Sequence, residues 1–327
     1  MEGAIVETRY DSVLLVGFGG PTRGCCRRYQ DCPGEAFCFV KNVVGDRSGG
    51  EDRIREVAEH YKHFGGVSPF SFFSQKQAGA LEMELERAGF GVPVYVGYHF
   101  WTPFLKEVLA EMYRRGLRRT LAIALAPHRA KVSFEAYRSE VEAGREALGR
   151  EAPRVDFAET PWFAHPGYIE ATADRIRALS PAMGESRFRD AHLIFSAHSI
   201  PVSMAKVSPY EEQFTGTAQK AAEALERGSH DIGYQSSPDV PPGSWLEPDV
   251  LDVIRDASAR GAKDIIVAPV GFICDHVEVL FDLDVEAKEA ADACGMGFFR
   301  AGTVGSHPKF ISMLCDIVSD HMAGESA

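Results

Sequence analysis

Short apolar runs alternate along this chain with longer stretches in which apolar residues recur at helical spacing. Strands that are covered on both faces are apolar throughout, so five runs predict buried parallel strands: residues 13–18, 92–98, 121–126, 192–197 and 265–270. The amphipathic stretches predict helices at residues 74–88, 104–115, 134–148, 210–227 and 248–259. Strands separated by helices form βαβ units, which favours an α/β fold with Rossmann-like parallel sheets flanked by helices.

The two halves of the chain resemble each other. Residues 13–21 (VLLVGFGGP) and 192–201 (HLIFSAHSIP) both consist of an apolar run, then small residues and a proline. Residues 115–127 (RGLRRTLAIALAP) in turn resemble residues 260–272 (RGAKDIIVAPVGF). Two similar pairs in the same order predict two similar lobes, at residues 1–152 and 153–327. Since open α/β sheets bind ligands beyond the carboxyl ends of their strands, we expect the active site in a cleft between the lobes.

An acidic series follows the last of these strands. Glu278, Asp282 and Glu286 recur every four residues, which places them in one column if the segment is helical. Like charges at this spacing repel each other, so a cation or the solvent must compensate them. A site that handles a metal ion is one interpretation, and a solvated acidic helix face is the other.

A histidine stands at the end of another predicted strand. His198 lies in the sequence SAHSIP, residues 196–201, where the apolar run 192–197 ends. It could be a hydrogen-bonding residue of the fold, but imidazole is also a common ligand of transition metals and changes charge near neutral pH. With Glu278 from a second strand end, it would form an incomplete ligand shell that leaves positions for substrate or water. That arrangement suits a site that passes a metal ion on.

Charge and hydropathy narrow the range of partners. The chain has 327 residues and a formal net charge of −12, which disfavours nucleic acid and anionic membranes as main partners. No apolar run approaches the ~20 residues of a membrane span. The first residues lack the pattern of a signal peptide. We therefore expect a cytoplasmic protein with at most transient membrane contact.

The chain has seven cysteines, an odd number that makes a disulfide framework improbable without an export signal. Four of them, Cys25, Cys26, Cys32 and Cys38, fall within fourteen residues. Thiolates are the usual ligands of zinc and of iron–sulfur clusters, so a zinc ion or a 2Fe–2S cluster is one interpretation. A loop of partly buried thiols is the other. We expect that these cysteines are not needed for catalysis and that any metal they bind is structural.

Several motifs resemble those of the ferrochelatase family. They are SAHSIP at 196–201 and PVGFICDHVEVLFD at 269–282, with further matches at 14–21, 63–69, 234–236 and 245–249. The matches follow the order of the family and cover about residues 12–310. Each match is modest, but the combination is specific.

The resemblance implies a two-lobed fold of the class II chelatase type. It also implies an enzyme, a lyase of haem biosynthesis, that inserts Fe²⁺ into coproporphyrin III or protoporphyrin IX and releases two protons. Porphyrin and ferrous iron would be its partners, together with proteins that hand over intermediates, and no further cofactor would be required. By the resemblance, His198 and Glu278 are catalytic and bind the metal, and Asp282 and Glu286 continue the metal path.

The resemblance further implies that Phe18, Ser68 and Tyr137 contact the porphyrin. Phe18 stands where some bacterial members have a tyrosine that can ligate iron, whereas phenylalanine can only pack against the ring. Ser68 lies in a Gly-Gly-Val-Ser-Pro sequence, so its hydroxyl could form a turn instead. Histidines replace two arginines of relatives, and the candidates for binding the propionates are Lys41, Arg47 and Arg53.

Two other classes stay open. A related chelatase could insert cobalt or nickel into another tetrapyrrole, but such enzymes commonly have two histidines where this chain has His198 and Glu278. A non-catalytic carrier of haem or metal would need tight axial ligation, which Phe18 does not supply.

Overall fold

The computed structural model describes residues 9–24, 34–45, 50–238 and 241–322. These residues form two four-stranded sheets in which all strand pairs are parallel. The first sheet has the order β2-β1-β3-β4, and its strands are β1 (Ser12–Gly17), β2 (Val94–Tyr98), β3 (Arg119–Ala124) and β4 (Arg154–Phe157). The second has the order β6-β5-β7-β8, and its strands are β5 (His192–His198), β6 (Asp231–Gln235), β7 (Asp264–Ala268) and β8 (Gly297–Arg300).

Helices connect the strands. In the first half of the chain they are α1 (Glu35–Val44), α2 (Gly50–His63), α3 (Phe70–Arg87), α4 (Leu105–Arg114) and α5 (Ala136–Leu148). In the second half they are α6 (Pro166–Arg177), α7 (Ser180–Met183), α8 (Glu185–Asp190), α9 (Val202–Ala205), α10 (Tyr210–Ala224), α11 (Val250–Ala259), α12 (Val277–Phe281), α13 (Lys288–Ala293) and α14 (Pro308–Met322). Short π-helical segments at Lys131–Glu135 and Asp282–Ala287 precede α5 and α13.

The second sheet is covered on both faces, which explains the apolar runs within its inner strands β5 and β7. Phe195 in β5 belongs to a core cluster that includes Phe214 of α10. Its neighbour Ile194 belongs to another cluster, which includes Ile254 of α11. Successive side chains of a strand point to opposite faces, so β5 supplies apolar side chains to two separate cores.

The two sheets repeat the same topology, as the internal resemblance predicts. A Cβ atom on Gly97 of β2 would lie 2.7 Å from Leu105, and one on Gly233 of β6 would lie 2.8 Å from Val250. In both halves a glycine therefore lets an edge strand approach the start of the following helix. The predicted fold of two similar parallel sheets flanked by helices is confirmed.

The chain divides into two compact units. One comprises Met1–Leu125, Val132–Thr160 and Leu314–Ala327, and the other comprises Ala126–Lys131 and Pro161–Met313. Among the helices in the described ranges, none is long and apolar enough to cross a membrane.

Candidate active site

His198 is the last residue of β5, an inner strand of the second sheet. Its ring Nδ1 is hydrogen-bonded to the carbonyl oxygen of Ser199, and its own carbonyl accepts a hydrogen bond of 2.8 Å from the hydroxyl of Tyr210. A carbonyl can only accept, so Nδ1 carries the proton in the neutral ring. Nε2 then has a free lone pair that can take up a proton or bind a metal ion.

Glu278 lies opposite this nitrogen, in the first turn of α12. Its Oε2 atom is 3.6 Å from Nε2 of His198, and the two side chains are 28% and 33% exposed. This distance is too long for a direct hydrogen bond. The pair therefore retains accessible lone pairs, and the structure brings together the two residues that the sequence predicts as catalytic.

The loop between β7 and α12 fixes this separation. The amide of Gly271 donates a hydrogen bond of 3.1 Å to the carbonyl of Ser196 in β5. A Cβ atom at Gly271 would lie 2.6 Å from the Cα of Ala197, so only glycine allows the loop to run so close to the strand. The buried hydroxyl of Tyr168 donates a hydrogen bond of 2.6 Å to the carbonyl of Val270. These contacts place Glu278 beside the end of β5.

Asp282 lies one turn further along and is only 9% exposed. Its carboxyl group accepts hydrogen bonds from the hydroxyl of Ser236 and, at 3.3 Å, from the side-chain amide of Gln235. Burial is the main cause that raises the pKa of Asp282 to about 8, and the negative charges of Glu278 and Glu286 act in the same direction. The buried position argues against the interpretation of a plain solvated acidic face.

Glu286 ends the acidic series on the exposed side of the segment. Partial desolvation of its carboxyl group raises its pKa, and the charge of Asp249 adds to this effect. The sequence predicts a regular helix here, but Asp282–Ala287 is π-helical, a form that often occurs at functional sites. Within the described part of the chain, no lysine or arginine pairs with Glu278, Asp282 or Glu286.

Sequence reasoning missed Gln235 and Ser236 as site residues. Both follow the apolar part of β6, which is the neighbour of β5 in the sheet. The feature that could have identified them is their position, because they are polar side chains at the end of a strand that lies beside the strand with His198. Their partner Asp282 is distant in sequence, so only the structure shows that they hold its carboxyl group.

In the first unit, Phe18 and Tyr137 belong to one series of aromatic rings. The ring of Phe18 is 4.8 Å from that of Phe100, which is 4.0 Å from His99. His99 in turn is 6.1 Å from Tyr137. Phe18 directly follows β1, so this series runs along the carboxyl edge of the first sheet.

Ser68 is buried and takes part in a turn. Its hydroxyl accepts a hydrogen bond of 3.3 Å from the amide of Phe70 at the start of α3. A Cβ atom on Gly20 would lie 2.6 Å from the Cβ of Ser68, so the serine packs closely against the loop after β1. These contacts agree with the turn-forming interpretation and leave the hydroxyl proton available to a ligand.

The remaining candidates lie elsewhere or outside the described residues. Cys38 is buried in α1, whereas Cys25, Cys26 and Cys32 lie outside the described ranges, as does Arg47. Arg53 is paired with Glu56 at 2.8 Å on the surface of α2. Among the residues that the structure describes, no group of three or more histidine, cysteine, aspartate or glutamate side chains is arranged to hold a resident metal ion.

Comparison with known proteins identifies relatives across almost the whole chain. The family model described as ferrochelatase matches residues 10–322. The chain is 36% identical to a protein of Nocardia farcinica named coproporphyrin III ferrochelatase, with 96% of this chain and 89% of the relative covered. It is 37% identical to a protein of Rhodopirellula baltica named ferrochelatase, with 96% and 86% covered.

Solved structures of chelatases share the fold. SirB from Bacillus subtilis with Fe³⁺ superposes with a TM-score of 0.58 at 11% identity, and 95% of each chain is covered. The sirohydrochlorin chelatase SirB from Bacillus subtilis subspecies spizizenii, in complex with cobalt, gives a TM-score of 0.55 at 10% identity, with 95% and 94% covered. These similarities confirm the predicted chelatase-like fold.

Proposed function

The chain belongs to the ferrochelatase family, and on this premise we propose that it inserts Fe²⁺ into a porphyrin in haem synthesis. The observation that carries the proposal is the pair formed by His198 and Glu278. An imidazole and a carboxyl group stand 3.6 Å apart at the carboxyl end of a parallel sheet, and both are partly exposed. Such a reaction is that of a lyase, and it requires a proton acceptor and a metal ligand at one place.

The chemistry of insertion assigns roles to the two residues. The porphyrin must lose two N–H protons, and the lone pair on Nε2 of His198 can accept one of them or bind the arriving iron. The Glu278 carboxylate would perform the complementary task. Because the Nδ1 proton is held by the carbonyl of Ser199, the imidazole ring keeps its orientation while Nε2 changes its protonation state.

Asp282 and Glu286 would deliver the metal ion. Oxygen ligands bind hydrated divalent cations weakly enough to release them, so successive carboxyl groups can pass iron on. The charges of Glu278 and Glu286 help to raise the pKa of Asp282, which supports the proposal that the three carboxyl groups act as one series. For the porphyrin, the proposed contacts are Phe18, Ser68 and Tyr137.

We propose coproporphyrin III as the substrate. Relatives from Nocardia farcinica, Mycolicibacterium smegmatis and Streptomyces coelicolor carry the name coproporphyrin III ferrochelatase at 34–36% identity. Protoporphyrin IX is the alternative. We further propose that the reaction is cytoplasmic and that other proteins of haem synthesis hand over intermediates. The net charge of −12 disfavours an anionic membrane as a main partner, so we propose at most transient membrane contact.

The deciding experiment mixes purified protein anaerobically with Fe²⁺ and either porphyrin, while absorption spectra follow the conversion of free porphyrin to the iron complex. We expect conversion of both and a higher kcat/KM for coproporphyrin III. Parallel reactions with cobalt or nickel and a reduced tetrapyrrole test the related chelatase activity. Failure with both porphyrins, together with turnover of the reduced tetrapyrrole, would contradict the proposal.

A further inference from the structure

Arg300, the last residue of β8, links two carboxyl groups on either side of the site. Its guanidinium donates two hydrogen bonds of 3.2 Å to Asp275 and two further bonds, one of them 3.0 Å, to Asp284. A bond of 3.2 Å to the carbonyl of Ala301 engages the fifth N–H. The side chain of Arg300 is only 13% exposed.

The two carboxyl groups bracket the residues that the proposed reaction needs. Asp275 lies three residues before Glu278, and Asp284 lies two residues after Asp282, inside the π-helical segment. Asp275 is also held from a second direction, because Thr303 donates a hydrogen bond of 3.0 Å from its hydroxyl to the same carboxylate. Arg300 therefore joins both ends of residues 275–284 to the edge strand β8.

The charge of this segment explains why such a link is needed. Residues 275–286 contain five carboxyl groups: Asp275, Glu278, Asp282, Asp284 and Glu286. Negative charges so close in sequence repel each other and oppose a helical conformation, and the proton that burial keeps on Asp282 below about pH 8 relieves only part of this repulsion. In the described residues, Arg300 is the only lysine or arginine that pairs with any of them.

We propose that Arg300 is a positioning residue that sets the spacing of Glu278 and Asp282 for iron, a role that rests on the proposed function. Since all five guanidinium N–H groups are already hydrogen-bonded within the protein, Arg300 has none left for a porphyrin propionate. It acts through the segment that it holds. The geometry thus makes it a determinant of iron use and not of porphyrin binding.

Steady-state kinetics test this role through the two KM values. Arg300→Met should raise the apparent KM for Fe²⁺ at least fivefold while the KM for porphyrin stays within twofold. The matched control is Arg187→Met, because Arg187 pairs in the same way with Asp264 at the opposite end of β7. That variant should leave both KM values unchanged. Equal rises in both KM values of Arg300→Met, or no rise, would overturn the proposal.

A second variant breaks the link from the other side without burying a new group. Asp284 is 37% exposed, so Asp284→Asn should fold and should raise the KM for iron by a smaller factor. Combined with Arg300→Met it should add almost nothing, since both changes remove one interaction. Fully additive effects would contradict the role. Arg300→Lys retains the positive charge but not the planar guanidinium that bonds to both carboxyl groups. Compared with Arg300→Met, it should therefore restore thermal stability more fully than it restores the KM for iron.

Hydrogen–deuterium exchange separates the positioning role from the proposed activity. Peptides covering residues 277–287 should exchange faster in Arg300→Met than in wild type or Arg187→Met. Unchanged exchange there would overturn the positioning role, whatever the activity. If wild type fails to insert iron while exchange responds as expected, the proposed function is wrong and the structural role of Arg300 stands.

Discussion

At the scale of single residues, His198 offers the sharpest test of the site. His198→Ala removes the Nε2 lone pair, but the main chain stays anchored because Tyr210 bonds to the carbonyl of residue 198. We expect iron insertion to fall by a factor of at least ~10², the usual contribution of a general base, with little change in the thermal unfolding temperature. Absorption spectroscopy of the porphyrin measures the rate.

The control for this variant lies on the same strand. His192 begins β5 and bonds to Asp231 at 2.8 Å, at the opposite edge of the sheet. His192→Ala should therefore keep its iron insertion rate within about twofold, even if it loses about 1 kcal/mol of stability with that hydrogen bond. Near-normal turnover of His198→Ala would show that His198 is not needed for iron insertion.

Asp282 gives the second prediction, which concerns pH and stability. Its pKa is about 8 in the folded protein, against an ordinary value of 3.8. Between these values the folded state keeps a proton that the unfolded state has released, so rising pH favours unfolding. In metal-free protein this group should lower the free energy of unfolding by up to about 1.4 kcal/mol per pH unit from pH 4 to 8.

Urea unfolding at several pH values measures this dependence. Asp282→Asn retains an oxygen that can accept the hydrogen bonds of Ser236 and Gln235, but it cannot ionise. The variant should therefore lose less stability than wild type as the pH rises. Asp292→Asn, an exposed position in the same helical run, should follow wild type. Parallel curves for wild type and Asp282→Asn would show that Asp282 is not the titrating group.

The candidate residues of the site could be predicted from the sequence, but their protonation states could not. Strand ends and spacing made His198 and Glu278 candidates, since parallel strands bring their carboxyl ends together, and the family resemblance implied their catalytic role. The elevated pKa of Asp282 could not be predicted. It depends on burial and on contacts with Gln235 and Ser236, which are 47 and 46 residues away in the chain.

At the scale of elements, the inner strands were predictable because both of their faces are buried. The runs 13–18 and 265–270 correspond to β1 at Ser12–Gly17 and β7 at Asp264–Ala268, within two residues. Three edge strands, β4, β6 and β8, were missed because their apolar runs are very short and are broken or bounded by polar residues and glycine. The π-helical segment at Asp282–Ala287 was also missed, because hydrophobic spacing barely distinguishes it from an α-helix.

The close approach of the β7 loop to β5 gives a prediction at this scale. Gly271→Ala would place a methyl group 2.6 Å from the Cα of Ala197, which is backbone and cannot rotate away. The loop must move, so we expect a loss of about 1–3 kcal/mol of stability. Because the same loop sets the distance from His198 to Glu278, iron insertion should fall as well.

The matched change for this prediction is Gly228→Ala, because nothing lies within 4 Å of the Cβ atom that would be added there. It should leave activity and stability unchanged. Thermal unfolding and the iron insertion rate are measured for both variants. A Gly271→Ala protein that is as stable and active as wild type would mean that the loop does not fix the site.

At the scale of the whole molecule, the two halves share a fold but not a charge pattern. The same strand order occurs in both sheets, yet Phe18 follows β1 where His198 ends β5. The acidic series Glu278, Asp282 and Glu286 belongs to the second unit. A repeated topology therefore supplies two similar edges, and the metal chemistry that we propose belongs to the side chains at only one of them.

The net charge of −12 gives the last prediction, since an acidic protein attracts a divalent cation over several ångströms. Raising the ionic strength from about 0.01 M to 0.5 M shortens the screening length from about 30 Å to a few ångströms, so the apparent KM for Fe²⁺ should rise several-fold while kcat changes little. Glu286→Gln should weaken this salt dependence, because Glu286 lies in the proposed metal path. Glu185→Gln, in α8 ahead of the amino end of β5, should not. A KM that is independent of salt, or an equal effect of both variants, would mean that the acidic series does not attract the arriving iron.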